Sequence, residues 1–370
     1  MELKFIEVNI PREVIKQYLD KKFQQDVELI SFDRLGTGWH STGYKIVCKI
    51  NNENKTMILR TVRKEGFSHE YPSDRARVFI MQHDLSSKIP NHVKSIDVGG
   101  FDKSGALVSI GRCNEFFQIV ELAQGIEYFH DFEKIKETGT ITDEDRKKAL
   151  ILSDYLVELH NMKFFDLELD TEQKNSMASS IHRRHTRDAV GHGEMLMGVL
   201  DTYPDNLPWV SKEELLDIQV KALRLRDRIK DLHNRLCRMH GDFHPGNILF
   251  SSAEHFSVLD ASREFWGEPA DDLTALGINY ILYAVMQSGN FSGPFAELFR
   301  MFWDNYMNKT QDFDSNKIAP LFFAFRGIVV CHPTFFNYPD QLRRKMFNFI
   351  NKLIEAEFFD YNKINEYMGD

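Results

Sequence analysis

The segment 240–247, with the sequence HGDFHPGN, is the feature that most constrains this chain. Two short apolar runs follow it, Ile248–Phe250 and Ser257–Leu259, joined by the segment Ser251–Phe256. This pattern predicts a tight glycine-containing loop and then a β-hairpin. Because a hairpin brings its two ends together, we expect Asn247 at its entrance and Asp260 at its exit to lie close to each other.

The side chains around this loop are of the types that bind a magnesium ion. Mg²⁺ takes oxygen ligands, and in proteins it usually binds one or two carboxylates together with substrate phosphates. The amide oxygen of Asn247 and the carboxylate of Asp260 meet that need. Asp242, five residues before Asn247, is then available to accept the proton of an attacking hydroxyl. The segment therefore predicts a catalytic aspartate beside a Mg²⁺ site.

Two other interpretations of the same loop are open. His240 and His244 flank Asp242 and could be ligands in a hydrolytic two-metal centre, although no further His/Asp cluster precedes them. Alternatively, His240 is a hydrogen-bonded core histidine and Asp242 a residue of a turn. The motifs upstream and downstream favour the catalytic interpretation over both.

A second glycine-containing loop, Gly36–Gly43, lies between two predicted strands. Glycines allow backbone amides to approach phosphates, since no Cβ stands in the way. A Gly-x-Gly sequence alone also fits a hairpin turn, and the loop lacks the GKS or GKT of a P-loop NTPase. Its position one strand before Arg60 favours nucleotide binding. The candidate residues of this loop are Gly36, Thr37, Gly38 and Ser41.

Arg60 is a cation on a strand whose residues alternate in polarity. Its expected roles are to bind the phosphates of a nucleotide and to pair with a carboxylate on the following helix. Asp74 is the candidate for that carboxylate, with Glu70 second. A solvated strand charge is the alternative interpretation of Arg60.

Strand patterns precede Gly125 and helical patterns follow it, which predicts an α+β fold. The capping box Thr142-x-x-Asp145 predicts the start of one helix, and Ser211-x-x-Glu214 predicts a second that ends near Cys237. The predicted strands are Val27–Phe32, Tyr44–Ile50, Thr56–Val62, Ala106–Ile110 and Phe116–Glu121, with a helix over Asp74–Leu85 inserted after the third. The domain boundary is placed between residues 123 and 124, giving domains 1–123 and 124–370.

Composition narrows the class of protein further. The net charge is −9 and no run of five basic residues occurs, which argues against a nucleic-acid partner. The longest apolar stretch, Ala275–Val285, is shorter than the roughly 20 residues of a membrane span and predicts a buried helix. No apolar signal region follows Met1, and the four cysteines show no CxxC spacing. We expect a cytoplasmic protein without membrane partners; the sequence does not indicate its oligomeric state.

With these motifs in order, the chain resembles the aminoglycoside phosphotransferase/choline kinase-like superfamily from about Leu29 to Leu276. The resemblance implies a protein-kinase-like fold of two lobes, with a small antiparallel sheet and one inserted helix in the N-terminal lobe and a larger, mainly helical C-terminal lobe. The segments that carry it are Leu35–Gly38, Ile58–Arg60, Asp74–Val78, Val120–Gly125, Leu152–His160, His240–Asn247, Val258–Asp260 and Gly267–Leu273.

The resemblance also implies an activity and further site residues. The expected reaction transfers the γ-phosphoryl group of ATP or GTP, with Mg²⁺, to a hydroxyl of a small molecule. The backbone of Glu121 and Ala123 would hold the adenine. Asp272 would brace the catalytic loop, and His240 would support it.

Several features depart from the family or leave alternatives open. The family usually has Glu at the position of Asp74. Ala261-Ser262 follows Asp260 where protein kinases have Phe-Gly, and no Ala-Pro-Glu follows, which favours a small-molecule kinase over a protein kinase. A nucleotide-binding pseudokinase that acts as an interaction module is the alternative function. The presence of Asp242, Asn247 and Asp260 together argues against it.

Two regions have no counterpart in the family, residues 161–210 and the chain after about residue 290. Within the first, Arg183, Arg184 and Arg187 could line a pocket for an anionic substrate. A solvated helix is the favoured interpretation of these three side chains.

Overall fold

The computed structural model describes residues 10–37, 41–62, 68–88, 93–113, 115–116, 118, 120–261 and 265–369. The chain forms two compact units, Met1–Val120 and Glu121–Asp370. The first unit is built around a β-sheet and the second consists mainly of helices, so the predicted α+β class is confirmed. Their elements are the parts that the kinase-like prediction expects, a small antiparallel sheet with a helix after its third strand and a larger helical unit.

The first unit is built around a three-stranded antiparallel sheet in the order β1-β2-β3. Its described elements are α1 (Arg12–Phe23), β1 (Glu28–Thr37), β2 (Ser41–Ile50), β3 (Glu53–Val62), α2 (Pro72–Ser86), β4 (Gly99–Phe101) and β5 (Leu107–Ser109). Even-numbered residues of β2 from Thr42 to Ile50 are buried, which confirms the predicted period of two. The apolar side chains among them, from Tyr44 to Ile50, form the core of the unit together with Ile10, Ile15, Leu19 and Val27.

The β2–β3 hairpin turns through Asn51 and Asn52, which both adopt positive φ (51° and 63°). A two-residue hairpin turn requires that conformation, and asparagine tolerates it better than most residues. The turn fixes the register, with Ile50 opposite Glu53 and Gly43 opposite Arg60.

The second unit contains most of the helices. Its described elements are β6 (Ile126–Glu127), α3 (Tyr128–Thr138), α4 (Asp143–His160), α5 (Thr171–Gly191), α6 (Leu196–Leu200), α7 (Lys212–Ile229), β7 (Cys237–Arg238), β8 (Ile248–Phe250), β9 (Phe256–Val258), β10 (Trp266–Gly267), α8 (Pro269–Ser288), α9 (Gly293–Thr310), α10 (Ser315–Cys331), α11 (Asp340–Leu353) and α12 (Ile364–Met368). Single 3₁₀ turns occur at Phe164–Asp166, His233–Arg235, Pro245–Asn247 and Tyr361–Lys363.

Both predicted capping boxes are present. Thr142 and Asp145 exchange hydrogen bonds at the start of α4, and Ser211 and Glu214 do so at the start of α7. The predicted end of α7 near Cys237 is wrong, because the helix stops at Ile229. Asp231 and Asn234 are poor helix formers, and the chain passes through a 3₁₀ turn before it enters β7.

Helix α8 is the centre of the larger unit, and every residue from Pro269 to Val285 is buried. The predicted buried helix over 275–285 is therefore confirmed. It packs against α9 and α10, which bring many of the aromatic side chains of the core. Within the described part of the chain, no helix combines the length and apolar character that crossing a membrane needs.

The predicted hairpin after the HGDFHPGN segment is also confirmed. Strand β8 pairs with β9 in antiparallel register, with Ile248 opposite Val258, and with β6 on its other side. A further predicted strand over 116–121 is wrong for the residues of that stretch that the structure describes, since none lies in a strand. Phe116 and Val120 are exposed there, so aromatic and β-branched residues alone did not place these positions in a strand.

Candidate active site

The predicted catalytic loop lies between the end of β7 and the start of β8, and these short strands anchor it at both ends. Strand β7 pairs with β10, so the entrance of the loop lies beside the first residues of α8. Gly241 adopts φ 87°, a conformation that glycine reaches without strain. The strand pairing and the conformation of Gly241 together determine the position and direction of the Asp242 side chain.

Asp272, in the first turn of α8, holds the entrance of the loop. Its carboxylate accepts hydrogen bonds from the backbone N–H of His240 (2.8 Å) and of Gly241 (2.7 Å). His160 Nε2 lies 3.1 Å from the same carboxylate, and His160 Nδ1 lies 2.8 Å from the hydroxyl of Tyr306. Burial raises the pKa of Asp272, but the contacts with His160 and His240 outweigh it and leave the pKa below its usual range. The ionised carboxylate of Asp272 thus holds the loop through its backbone amides, and it lies at the positive N-terminal end of α8.

Asp242 presents its two carboxylate oxygens to different neighbours. Oδ1 accepts a hydrogen bond from Nη1 of Arg326 at 2.5 Å. Oδ2 lies 3.5 Å from the amide nitrogen of Asn247 and 3.7 Å from Nε2 of His244. The side chain of Asp242 is 15% exposed, so it is partly accessible to solvent.

Arg326 comes from α10 and is buried. Its second terminal nitrogen donates to the carbonyl oxygen of Gly241 (2.9 Å) and to Oδ1 of Asp271 (2.7 Å). Burial lowers the pKa of Arg326, but the charges of Asp271 and Asp242 outweigh that cost and raise it. The guanidinium is therefore a permanent cation within contact of the predicted catalytic carboxylate.

Asn247 and Asp260, the predicted metal ligands, lie at the two ends of the β8–β9 hairpin. The backbone oxygen of Asn247 accepts a hydrogen bond from the N–H of Leu259 at 2.8 Å. This bond brings Asp260, the residue after Leu259, near Asn247. The Asn247 side-chain nitrogen donates to the carbonyl oxygen of Asp242 (3.0 Å), so its amide oxygen is the atom that remains for a cation. Asp260 is exposed and has φ 55°.

These two oxygen donors fit Mg²⁺, which prefers hard ligands and completes its shell with water and phosphate. Among the described residues, no group of three or more His, Cys, Asp and Glu side chains could hold a metal ion. His240 Nδ1 lies 3.2 Å from the N–H of Asp242, and His244 Nδ1 lies 3.1 Å from the N–H of Gly246. Each of these ring nitrogens therefore accepts a local backbone hydrogen bond.

The predicted phosphate-binding residues lie in the first unit. Gly36 and Thr37 end β1, where they pair with Gly43 and Thr42. Ser41 begins β2, and Arg60 is exposed on β3 opposite Gly43. One sheet therefore brings the described part of the glycine loop and Arg60 to the same end. Gly38 lies outside the described residues.

Asp74 lies in the first turn of α2, where its Oδ2 accepts from the N–H of Tyr71 at 2.8 Å. Its carboxylate thus stabilises the helix N-terminus. The pairing of Arg60 with Asp74, or with Glu70, stays a prediction. The predicted adenine-binding residues, Glu121 and Ala123, lie in irregular structure at the start of the second unit.

Residues 155–299 match a family model described as the phosphotransferase enzyme family, APH. This segment contains the catalytic loop, Asp260 and most of the network around α8. The predicted family resemblance is confirmed.

Solved structures of small-molecule kinases are similar to the chain at low identity. A mutant of aminoglycoside phosphotransferase APH(4)-Ia with ADP and hygromycin B has 12% identity and a TM-score of 0.35, over 92% of this chain and 99% of that one. Choline kinase LicA from Streptococcus pneumoniae has 14% identity and a TM-score of 0.34, over 92% of this chain and 98% of that one. A Plasmodium vivax ethanolamine kinase has 11% identity and a TM-score of 0.32, over 92% of this chain and 80% of that one. No curated protein matches the sequence.

Sequence reasoning missed Arg326 and Asp271. A signal for Arg326 was present, because it is the one charge in the apolar run 318–331 of α10. A lone charge in a buried helix normally has a buried partner. Asp271 stands next to Asp272, but adjacent helix positions point in different directions, and only Asp272 matched the family pattern.

Of the three arginines of α5, Arg183 and Arg187 are exposed, as the favoured interpretation expects, whereas the side chain of Arg184 is only 14% exposed. Arg183 is exposed and pairs with Asp231 at 2.6 Å, while Arg184 and Arg187 contact Asp188. The buried face of α5 carries histidines, and His182 and His185 lie near Glu268 and Asp271 at 3.5 and 3.8 Å.

Proposed function

We propose that the protein is a phosphotransferase that uses ATP, or GTP, to phosphorylate a hydroxyl of a small molecule. The observation that carries this proposal is the arrangement of Asp242. One carboxylate oxygen is held by Arg326, and the other faces the side chain of Asn247, at the end of a hairpin that also carries Asp260. The family match over residues 155–299 supports the same class of reaction.

Asp242 in this proposal orients the acceptor hydroxyl and takes its proton. The geometry supports Oδ2 as the acting atom, since Oδ1 is engaged by Arg326. Asn247 and Asp260 would hold Mg²⁺ through their side-chain oxygens, and the bound ion would neutralise charge on the phosphates. Catalysis in such reactions is mostly positioning and charge stabilisation, so few chemical groups are required.

The residues of the first unit have binding roles in the proposal. Backbone amides of the loop 36–43 and the guanidinium of Arg60 would bind phosphate groups. The backbone of Glu121 and Ala123 would bind the purine. The common end of the sheet that Gly36, Ser41 and Arg60 share supports these roles.

A screen for ADP release tests the proposal. The purified chain is incubated with Mg²⁺ATP and, one at a time, with hydroxyl-bearing metabolites and antibiotics, together with a sample that lacks an acceptor. We expect acceptor-dependent ADP release from the wild type. Asp242→Ala should lower the rate by at least about 1,000-fold, because general-base catalysis and positioning are lost together.

The melting temperature of Asp242→Ala, measured beside the rate, separates lost chemistry from lost folding. Turnover by this variant at the wild-type rate would overturn the assignment of Asp242. A wild type whose melting temperature rises with Mg²⁺ATP but that releases no ADP would favour the alternative, a nucleotide-binding interaction module.

A further inference from the structure

Arg326 connects the catalytic loop to a part of the chain outside the matched family segment. It lies on α10, 84 residues after Asp242, and its side chain is 7% exposed. Taking a guanidinium out of water is costly unless charged partners and hydrogen bonds compensate for it. The two carboxylates that contact it, Asp242 and Asp271, supply that compensation.

The contacts of Arg326 divide between its two terminal nitrogens. Nη1 donates to Asp242, and Nη2 donates both to Gly241 and to Asp271. A planar guanidinium holds these directions rigidly, which a lysine ammonium cannot do. Both backbone polar groups of Gly241 are thereby engaged, the N–H by Asp272 and the carbonyl by Arg326.

Asp271 is buried completely and fixes Arg326 from behind. It sits beside Asp272 in the first turn of α8, so one helix turn holds the loop in two ways. Asp272 binds the amides of the loop directly. Asp271 acts on its carbonyl and on the Asp242 carboxylate through the guanidinium.

We propose that Arg326, held by Asp271, is a positioning residue for Asp242. This role rests on the proposed phosphotransferase function. Arg326 fixes Oδ1 so that Oδ2 stays turned toward the acceptor. The hydroxyl proton then passes to Oδ2 while an electron pair of the hydroxyl oxygen forms the bond to the γ-phosphorus. The bond from the γ-phosphorus to the bridging oxygen breaks, and its electron pair leaves with ADP.

The test compares kcat with KM in folded variants of the full chain. Removing Arg326 alone takes away the guanidinium that compensates the buried charge of Asp271, so the main variant is Arg326→Met combined with Asp271→Asn. We expect kcat for ADP release to fall by about 100-fold, the effect of misplacing a catalytic group. The KM for ATP should stay within about twofold of the wild-type value, because uniform ATP binding is unchanged.

Arg326→Lys is the conservative variant, because it keeps the positive charge but loses the planar guanidinium with its two terminal nitrogens. It should recover part of the lost kcat, since one ammonium cannot reach all three partners of Arg326. Arg235→Lys is the matched control. Arg235, whose side chain is 9% exposed, also bridges two carboxylates, Glu268 and Asp312, and none of its hydrogen bonds to the described residues goes to the predicted catalytic loop.

Both lysine variants should lower the melting temperature, but only Arg326→Lys should lower kcat. Wild-type kcat in folded Arg326 variants would overturn the positioning role, and so would an equal loss of kcat in Arg235→Lys. If the double variant does not fold, the two lysine variants decide the question. A wild type that releases no ADP with any acceptor is a failure of the proposed function itself, and the positioning role falls with it.

Discussion

The carboxylate of Asp242 contacts a neighbour in the chain, Asn247, on one side and a distant residue, Arg326, on the other. Its spacing from Asn247 was readable in the sequence, because both belong to one short loop whose residue types suit phosphate chemistry. The partner that holds its carboxylate, Arg326, was not readable, since 84 residues separate the two and only the packing of α10 brings them together. Local motifs thus predict candidate reacting groups, whereas the residues that contact those groups depend on tertiary packing.

Asp260 allows charge and backbone strain to be separated. Its φ of 55° is a conformation that Asn adopts readily and Ala does not. Asp260→Asn should therefore fold as the wild type does while it weakens a Mg²⁺ site. We expect the Mg²⁺ concentration for half-maximal ADP release to rise at least about 100-fold, because even residues that only orient metal ligands contribute 10–100-fold.

Asp260→Gly is the partner variant in a Mg²⁺ titration. Glycine removes the carboxylate and also relieves the left-handed backbone, so its melting temperature should equal or exceed that of the wild type. An unchanged Mg²⁺ requirement in both variants would contradict the assignment of Asp260 as a ligand.

At the scale of helices and strands, local rules worked where the signal was complete within a few residues. The capping boxes at Thr142 and Ser211 and the hairpin after Asn247 each involve neighbours in the chain. The end of α7 was predicted wrongly because its apolar stripe continues as far as Leu236. Leu236 is buried, but it follows a 3₁₀ turn and lies outside any helix. An apolar residue at a helical spacing can therefore be buried where the helix has already ended.

The N-terminus of α4 gives a measurable prediction. The Thr142 hydroxyl and the Asp145 carboxylate each satisfy a backbone N–H of the other residue. Thr142→Ala should lower the free energy of unfolding by about 1 kcal/mol. For a unit of this size, that corresponds to a fall of about 2–4 °C in melting temperature.

Thr142→Ser provides the control, because serine keeps the capping hydroxyl. It should restore most of the loss in a calorimetric scan. A serine variant as unstable as the alanine variant would show that the methyl group, and not the cap, carries the stability.

At the scale of the whole molecule, the larger unit is organised around buried charge as well as apolar packing. Glu268, Asp271 and Asp272 stand together at the start of α8, and all three are buried. Each has a cationic or histidine partner from a distant part of the chain. The composition could predict a helical unit with an aromatic core, but not which acidic residues would be buried, because their partners are not sequence neighbours.

Glu268 makes the stability of this unit depend on pH. Burial raises the pKa of Glu268, but the charge of Arg235 outweighs it and the pKa falls to about 2. Since the folded pKa lies below the ordinary value, the stabilisation is full above about pH 4.5 and is lost as pH falls toward 2. It amounts to about 3 kcal/mol.

Urea unfolding from pH 7 to pH 2 checks this prediction. The free energy of unfolding of Glu268→Gln should be lower at pH 7 and should change less between pH 4.5 and 2. Glu297→Gln serves as the control, because Glu297 is an exposed partner of Arg146 and its loss should leave the profile nearly unchanged. Parallel profiles for the wild type and Glu268→Gln would contradict the role of Glu268.

The position of Arg326 also has a consequence during protein synthesis. The catalytic loop and the hairpin that carries Asp260 leave the ribosome before α10 has been translated. A nascent chain that ends before residue 326 therefore has the proposed reacting side chains but not the guanidinium that holds Asp242. If Arg326 acts as proposed, the chain becomes active only after α10 has been made, and a chain terminated before residue 326 is expected to be inert although its matched segment, residues 155–299, is complete.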